Sequence, residues 1–258
     1  MRVAIVHKLS SAGIASEVKE FLKENEIESD MFRYPSTLLE KFDAIITVGG
    51  DGTVLKSIHH LRFPPPVFSI NTGRIGILTH ASPENYRERL LKALRGDTDV
   101  EEVTRVSGRT ENNEVYALNE IAVLSASPAR LIELEIHVDG IFLDSVRADG
   151  VIISTPTGST AYALSAGGAV VDPDLQAIAL IPVSPFRVGS KPWIFSPERA
   201  IEVRIKGDRA AVAVADGITS IRLNPNCSMT FMKADFPARF YRFESRIVRI
   251  INKIRNLK

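Results

Sequence analysis

A single cysteine, Cys227, in 258 residues excludes an internal disulfide and fits a reducing compartment. Charge of either sign is not in excess. With 32 Lys and Arg against 31 Asp and Glu, bulk charge gives no reason to expect a nucleic-acid or membrane partner. Long hydrophobic runs are missing too, since nothing approaches the roughly 18 consecutive apolar residues of a membrane span. The opening residues MRVAIVHKL turn polar too early for a secretory signal and read as a first strand instead. Neither a fixed-period repeat nor a low-complexity tract is present. The remaining composition, 45% hydrophobic and 24% charged, is that of a soluble globular protein, expected in the cytoplasm. Its length allows one large domain or two modest ones.

The first hundred residues alternate strand-like and helix-like segments, the pattern of a parallel α/β layer. RVAIV (Arg2–Val6), FDAIITV (Phe42–Val48) and PVFSI (Pro66–Ile70) read as strands. FDAIITV is almost continuously apolar, as a central parallel strand covered on both faces should be. GIASEVKEFLKENEI places Ile14, Val18, Phe21 and Leu22 at helical spacing, and TVLKSIHHL reads as a second helix. SPENYRERLLKALRG predicts a helix with Ser82 as N-cap, Pro83 in its first turn and Gly96 as its stop.

From about Asp99 the period changes. Ile132, Leu134, Ile136 and Val138 alternate with Glu133, Glu135 and His137, and Ile201, Val203 and Ile205 repeat the alternation. Asp139-Gly140, Gly207-Asp208 and Asp216-Gly217 are hairpin dipeptides. Domains are therefore expected at 1–98 (α/β), 99–233 (antiparallel β) and 234–258 (a C-terminal helix returning to the first domain). In that helix Ile247, Ile250, Ile251 and Ile254 share a face that should dock, leaving a basic face outward.

VGGDGTVL (Val48–Leu55) puts a carboxylate into a glycine turn between strand and helix. It is no dinucleotide fingerprint, because the third glycine would fall at Leu55, and no Gly-Lys-Ser/Thr follows to make a Walker loop. Backbone N–H groups in such a turn, with the helix N-terminus behind them, favour a phosphate. Asp51 would repel that anion unless it holds a phosphate-bridging cation or takes a proton from an attacking hydroxyl. The structural alternative is that Asp51 merely tolerates a left-handed turn.

ADGVIISTPTGSTAYALSAGG (Ala148–Gly168) leads from a strand into Thr155, Thr157, Ser159, Thr160 and Tyr162, interleaved with Pro156 and Gly158. Hydroxyls, exposed backbone and one aromatic suit a ribose, a base and a polar amide. A solvated Ser/Thr loop is the other reading.

Gly49-Gly50-Asp51-Gly52-Thr53 resembles the motif shared by NAD kinases, diacylglycerol kinases and sphingosine kinases, with a relative in phosphofructokinases. The TPTGSTAY-x-LSAGG stretch resembles a signature of NAD kinases alone, and INTGRIGILT (Ile70–Thr79) and ALNE (Ala117–Glu120) are similar to two further stretches of that family. The resemblance covers residues 45 to 170. It implies a phosphofructokinase-like α/β domain, an antiparallel all-β domain, and phosphorylation of the adenosine-ribose 2′-hydroxyl of NAD to NADP. ATP or polyphosphate would be the donor, with Mg²⁺ or another divalent metal whose ligands are not identified.

By the same resemblance, Asp51 is the general base or hydroxyl-orienting carboxylate, and Gly50, Gly52 and Thr53 face the donor phosphates. Asn119 and Glu120 would bind the nucleotide's ribose and phosphate. Lys56, Arg130 and Arg147 match basic positions near the ligand, while Asp149, Thr157, Thr160, Ala161, Tyr162, Ala163, Leu164 and Ser165 match its base- and ribose-binding wall. Asp51 and Asn119-Glu120 are expected to meet the STPTGSTAY loop between domains. The partners implied are small-molecule nucleotides and copies of the same chain, a dimer or tetramer, with no nucleic acid and no membrane.

Two stretches depart from the family pattern: SPFRVGSKP carries Phe186 and Lys191 where a histidine and an arginine are usual, and Ile218 follows Asp216-Gly217 in place of glutamine. A lipid kinase is the rival enzyme, and a non-catalytic NAD(P)-binding sensor the rival of another class. His59 and His60 are adjacent, cannot form an i, i+4 metal pair, and read as solvated or capping. Cys227 reads as a small buried hydrophobe, and Trp193, Phe231, Phe236, Phe240 and Tyr241 as packing or interface residues.

Overall fold

The computed structural model describes residues 1–33, 37–73, 76–187 and 189–255. Arg74 and Ile75 of INTGRIGILT, Val188 of SPFRVGSKP and the side chain of Ile254 lie outside the described set. The chain divides into two compact units, Met1–Val103 with Phe236–Lys258, and Thr104–Asp235.

The first unit opens with β1 (Arg2–His7), α1 (Ala12–Glu24), β2 (Glu28–Phe32), β3 (Ala44–Gly49), α2 (Asp51–Ile58), β4 (Val67–Asn71), α3 (Tyr86–Arg95) and β5 (Val100–Val103). The second unit holds β6 (Val106–Arg109), β7 (Glu114–Ala117), β8 (Glu120–Ser125), β9 (Ile132–Val138), β10 (Ile141–Ala148), β11 (Gly150–Ser154) and the short α4 (Tyr162–Ser165). It continues through β12 (Ile178–Val183), β13 (Trp193–Phe195), β14 (Ile201–Lys206), β15 (Ala211–Ala215), β16 (Thr219–Leu223) and β17 (Ser228–Lys233). The chain then returns to the first unit as β18 (Ala238–Tyr241) and α5 (Arg246–Arg255).

Sheet order in the first unit is β2-β1-β3-β4-β18-β5. Pairing is parallel from β2 through β18, and β5 adds antiparallel at the edge. Every residue of β3 is buried, which is why its sequence is a continuous apolar run. By contrast β2 escapes the hydrophobic pattern, because this edge strand (ESDMF) is half-buried at best. The chain proceeds from β1 to β2 on one side and places β3 on the other, so the strand order reverses between β1 and β3. In open α/β sheets, that reversal opens a crevice at the carboxyl ends of the strands.

Helices α3 and α5 differ from expectation. α3 starts at Tyr86, one turn after Ser82, because Asn85 closes a turn on Ser82: Ser82 N–H donates to Asn85 Oδ1 and Asn85 N–H to Ser82 O. Gly96 does stop it, in the left-handed conformation at φ 81°. α5 docks with a mixed face. Ile250 is buried but Ile251 is 41% exposed, and Arg249 is buried in its stead with Arg246 beside it. Glu101 of β5 offers both arginines a carboxylate, so the guanidiniums enter as an ion-paired group while their methylenes pack.

The second unit is a sandwich of two six-stranded antiparallel sheets, β10-β9-β14-β17-β6-β7 and β13-β12-β11-β8-β15-β16. Alternate residues of both sheets meet in one core, to which β9 contributes Ile132, Leu134 and Ile136, β8 Ile121, and β11 Val151 and Ile153. The central strand β11 is buried on both faces, because Ala163 and Ala166 around α4 pack with Ile152, Ala179 and Ile181 on its outer side. The α/β-plus-antiparallel-β architecture expected from the sequence is thus the one observed.

Candidate active site

The glycine turn joins β3 to α2. The helix begins at Asp51, two residues before the expected Thr53, with Gly50 as N-cap and Thr53 and Val54 N–H closing on Gly50 O. Asp51 is therefore a first-turn helical residue and not one of the left-handed residues of the chain, which removes the turn-residue explanation. A carboxylate there is favoured by the helix dipole. Gly49 is required by close approach, since a Cβ would lie 2.0 Å from Thr53 Oγ1. Gly50 and Gly52 face open space.

That space is a cavity of about 490 Å³ lined by Val6, His7, Lys8, Leu9, Arg33, Gly50, Gly52, Thr53 and Lys56. Its residues come from the carboxyl ends of β1, β2 and β3, where the strand order reverses, and from α2. Lys8, Arg33 and Lys56 make it basic, and the N-terminus of α2 adds a partial positive charge. Asp51 does not line it. Asp51 Oδ2 accepts from Ile77 N–H (3.0 Å) and Oδ1 from Leu78 N–H (3.1 Å). Gly76 leaves room for this clamp, because a Cβ there would lie 3.1 Å from Asp51 Oδ1. The basic cavity and the Asp51 carboxylate thus lie on separate sides of the turn.

In the second unit, the TPTGST segment is not a solvated loop. Residues Thr157–Thr160 form a 3₁₀ turn that is buried throughout. Thr155 N–H donates to Asn119 O, and its hydroxyl to Leu118 O (2.6 Å). Ser159 and Thr160 hydroxyls bond Pro156 O and Thr157 O, and Ser154 bonds Thr155 O. The hydroxyls of Thr155, Ser159 and Thr160 therefore tie the loop to itself and to Leu118. Tyr162 and Ser165 are exposed, Ala161 and Leu164 half-buried, and Ala163 belongs to the apolar cluster under α4.

Glu120 pairs with Ser154 across β8 and β11, which brings it to this loop. It is buried, and its carboxyl is raised from 4.5 to about 7 by desolvation first and the charge of Asp216 second, against a hydrogen bond from Tyr162 N–H. Asp216 organises the same corner. At φ 50°, it accepts from Leu118 N–H on Oδ2 and from Asn119 N–H on Oδ1, both at 2.8 Å. Arg130, Arg147 and Asp149 lie at the other end of β11. Asp149 precedes Gly150, and Arg130 sits just before Ile132, which pairs with Ala148. Five residues of extended strand, roughly 15 Å, separate this group from Glu120. Arg147 is exposed, with Phe186 stacked under its guanidinium at 5.5 Å.

Sequence reasoning missed Lys8 and Arg33 in the cavity, and Asp216 behind Asn119. Lys8 had a usable signal, as it follows the first strand of an α/β layer, whereas Arg33 follows β2, an edge strand with no hydrophobic pattern to mark it. Of the residues set aside, His59 is buried as the C-cap of α2, His60 is exposed, and Cys227 is half-buried against the sandwich core. Trp193 is 45% exposed, unlike the buried Phe231, Phe240 and Tyr241.

Family comparison decides the identity. The ATP-NAD kinase N-terminal domain model matches residues 4–98, and the ATP-NAD kinase C-terminal domain model matches residues 118–243. The chain belongs to the NAD kinase family. The NAD kinase of Archaeoglobus fulgidus is 46% identical over 257 residues, the full length of both chains. That of Thermococcus kodakarensis is 36% identical, covering 95% of this chain and 94% of its own. A crystal structure of the A. fulgidus NAD kinase in complex with ATP superposes with a TM-score of 0.91 over 99% of both chains. A yeast NADH kinase complexed with NADH, at 23% identity and TM-score 0.86, shares the fold. Family membership makes the chain a phosphotransferase acting on NAD, and nothing in these relatives supports a lipid kinase or a non-catalytic sensor.

The proton on Glu120 makes a measurable prediction. Between about pH 4.5 and 7, the folded chain keeps a proton that the unfolded chain has lost. The resulting stabilisation is complete below the unfolded value and is lost as pH rises through the folded one. Glu120→Gln, always neutral, lacks this dependence. The stability of wild type relative to the variant should therefore fall by roughly 3 kcal/mol across that window. Urea unfolding at several pH values reads the difference, and a flat profile would show that Glu120 titrates normally.

Proposed function

We propose that the chain transfers the terminal phosphoryl group of ATP or polyphosphate to the 2′-hydroxyl of the adenosine ribose of NAD, giving NADP. The basic cavity at the carboxyl ends of β1, β2 and β3, beside a separately clamped Asp51, carries this reading. Donor phosphates would lie against Gly50, Gly52 and Thr53, with Lys8, Arg33 and Lys56 offsetting their charge. Asp51 keeps lone pairs beyond those its backbone donors use, so it can accept the acceptor hydroxyl's hydrogen bond and then its proton. As that O–H bond breaks, oxygen attacks phosphorus in line and the donor's bridging oxygen leaves. In the second unit, Asn119, Glu120, Tyr162 and Ser165 would bind the nucleotide on the frame set by Thr155, Gly158 and Ser159. Arg130, Arg147 and Asp149 form a distinct group for a charged part of the ligand.

Among the described residues, no cluster of three or more His, Cys, Asp or Glu could cage a metal. Such a site fits an ion that arrives on the donor phosphates and keeps water ligands, as Mg²⁺ does. When bound, that ion would neutralise charge developing on the phosphates. No helix among the described residues is long and apolar enough to cross a membrane. Cytoplasmic location and assembly into a homo-oligomer complete the proposal.

The deciding assay crosses NAD and NADH with ATP and polyphosphate in the presence of Mg²⁺. NADP should form from NAD with at least one donor. Nucleotide binding in calorimetry without product from any combination would overturn the reading.

A further inference from the structure

One peptide group links the C-terminal helix to Asp51. The N–H of the Ile77–Leu78 peptide donates to Asp51 Oδ1 (3.1 Å), and its carbonyl accepts from Arg249 Nη1 (3.0 Å). The same nitrogen makes a longer bond to Thr79 O (3.5 Å). Arg249 is buried, and its Nη2 meets Glu101 Oε1 at 3.3 Å, while Arg246 Nε meets Glu101 Oε2 at 3.3 Å. The neighbouring carbonyls are held as well, Leu78 O by the Ser69 hydroxyl and His80 O by Arg89. Segment 76–80 has no regular secondary structure, so side-chain bonds hold its Ile77 and Leu78 peptide groups, while His80 N–H donates to Ser69 O.

We propose that Arg249, backed by Glu101, is a positioning residue for phosphoryl transfer, holding the Asp51 carboxylate toward the acceptor hydroxyl through the Ile77–Leu78 peptide. The inference rests on the assignment of Asp51 to the reaction. A guanidinium at one end of a peptide group and a carboxylate at the other align its dipole and strengthen both hydrogen bonds in a low-dielectric interior. Without Arg249, the peptide can rotate, Leu78 N–H leaves Oδ1, and the carboxylate regains rotamer freedom. A misplacement of about 1 Å at a reacting group lowers the rate on the order of 10²-fold. Lysine would keep the charge but lacks the planar fork that spans Ile77 O and Glu101 at once.

Steady-state kinetics and thermal melts on Arg249→Lys, Arg249→Met, Asp51→Asn and the double variants test this. Arg249→Met should lower kcat about 30- to 100-fold with little change in KM for NAD or donor, and Arg249→Lys less. In the Asp51→Asn background the Arg249 effect should vanish, because no carboxylate remains to be positioned. Equal losses in both backgrounds, or wild-type kcat in both single Arg249 variants, would overturn the proposal. If Arg249→Met does not fold, Arg249→Lys and Glu101→Gln carry the same comparison. Wild-type turnover in Asp51→Asn would instead defeat the assignment of Asp51. A slow Asp51→Asn enzyme with Arg249 neutral defeats only the role of Arg249.

Discussion

Asp51→Asn is expected to lower kcat by roughly 10²–10⁴-fold while leaving NAD affinity nearly unchanged. A ribose hydroxyl is a weak nucleophile at neutral pH, and a positioned carboxylate both orients it and removes its proton. Asparagine can still accept one of the two backbone hydrogen bonds through its carbonyl. Its amide nitrogen then faces the other N–H, donor against donor, and the side chain loses both its charge and its fixed direction. The nucleotide-binding residues proposed here belong to the second unit, so binding should survive. Kinetics together with calorimetric NAD titration separate the two effects, and unchanged turnover would remove Asp51 from the mechanism.

Gly158→Ala should damage the second unit's loop. The added Cβ would lie 2.0 Å from Asn119 O and 2.5 Å from its carbonyl carbon, and backbone atoms cannot swing aside as a side chain can. That oxygen is the acceptor for Thr155 N–H, so the clash breaks the bond tying the loop to Asn119. The destabilisation should be about 3 kcal/mol, a fall in Tm of roughly 5–10 °C. NAD affinity should fall with it, because Asn119, Glu120 and Tyr162 lose their common frame. Gly52→Ala is the control, as its new methyl meets nothing within 4 Å and its backbone needs no glycine. It should melt with the wild type. A Gly158→Ala protein with wild-type Tm and NAD affinity would show that the loop has slack the structure does not display.

Much of this protein is legible in its residues taken in order. The alternation of strands and helices before Val103, and the period-two strands after it, mark a parallel α/β unit and an antiparallel one. The reason is local: 3.6- and two-residue periods record which face each element buries. Edge strand β2 and the start of α3 escaped for the same reason, one having little to bury and the other being decided by the Ser82–Asn85 turn. The motifs around Asp51 and Thr157 point to the NAD kinase family because their spacing is continuous along the chain.

The amino-acid sequence by itself therefore determined the architecture, the family and Asp51 as the residue of greatest interest. What only the tertiary structure decided is how each group is held. It turned Asp51 onto the Ile77 and Leu78 amides and away from the basic cavity, and it drew Lys8 and Arg33 into that cavity. It also set the hydroxyls of Thr155, Ser159 and Thr160 onto backbone carbonyls in and beside the loop, and brought Arg249 to a carbonyl 172 residues away. Such contacts leave no period or spacing in the sequence, because each depends on where two distant segments come to rest once their apolar faces are buried.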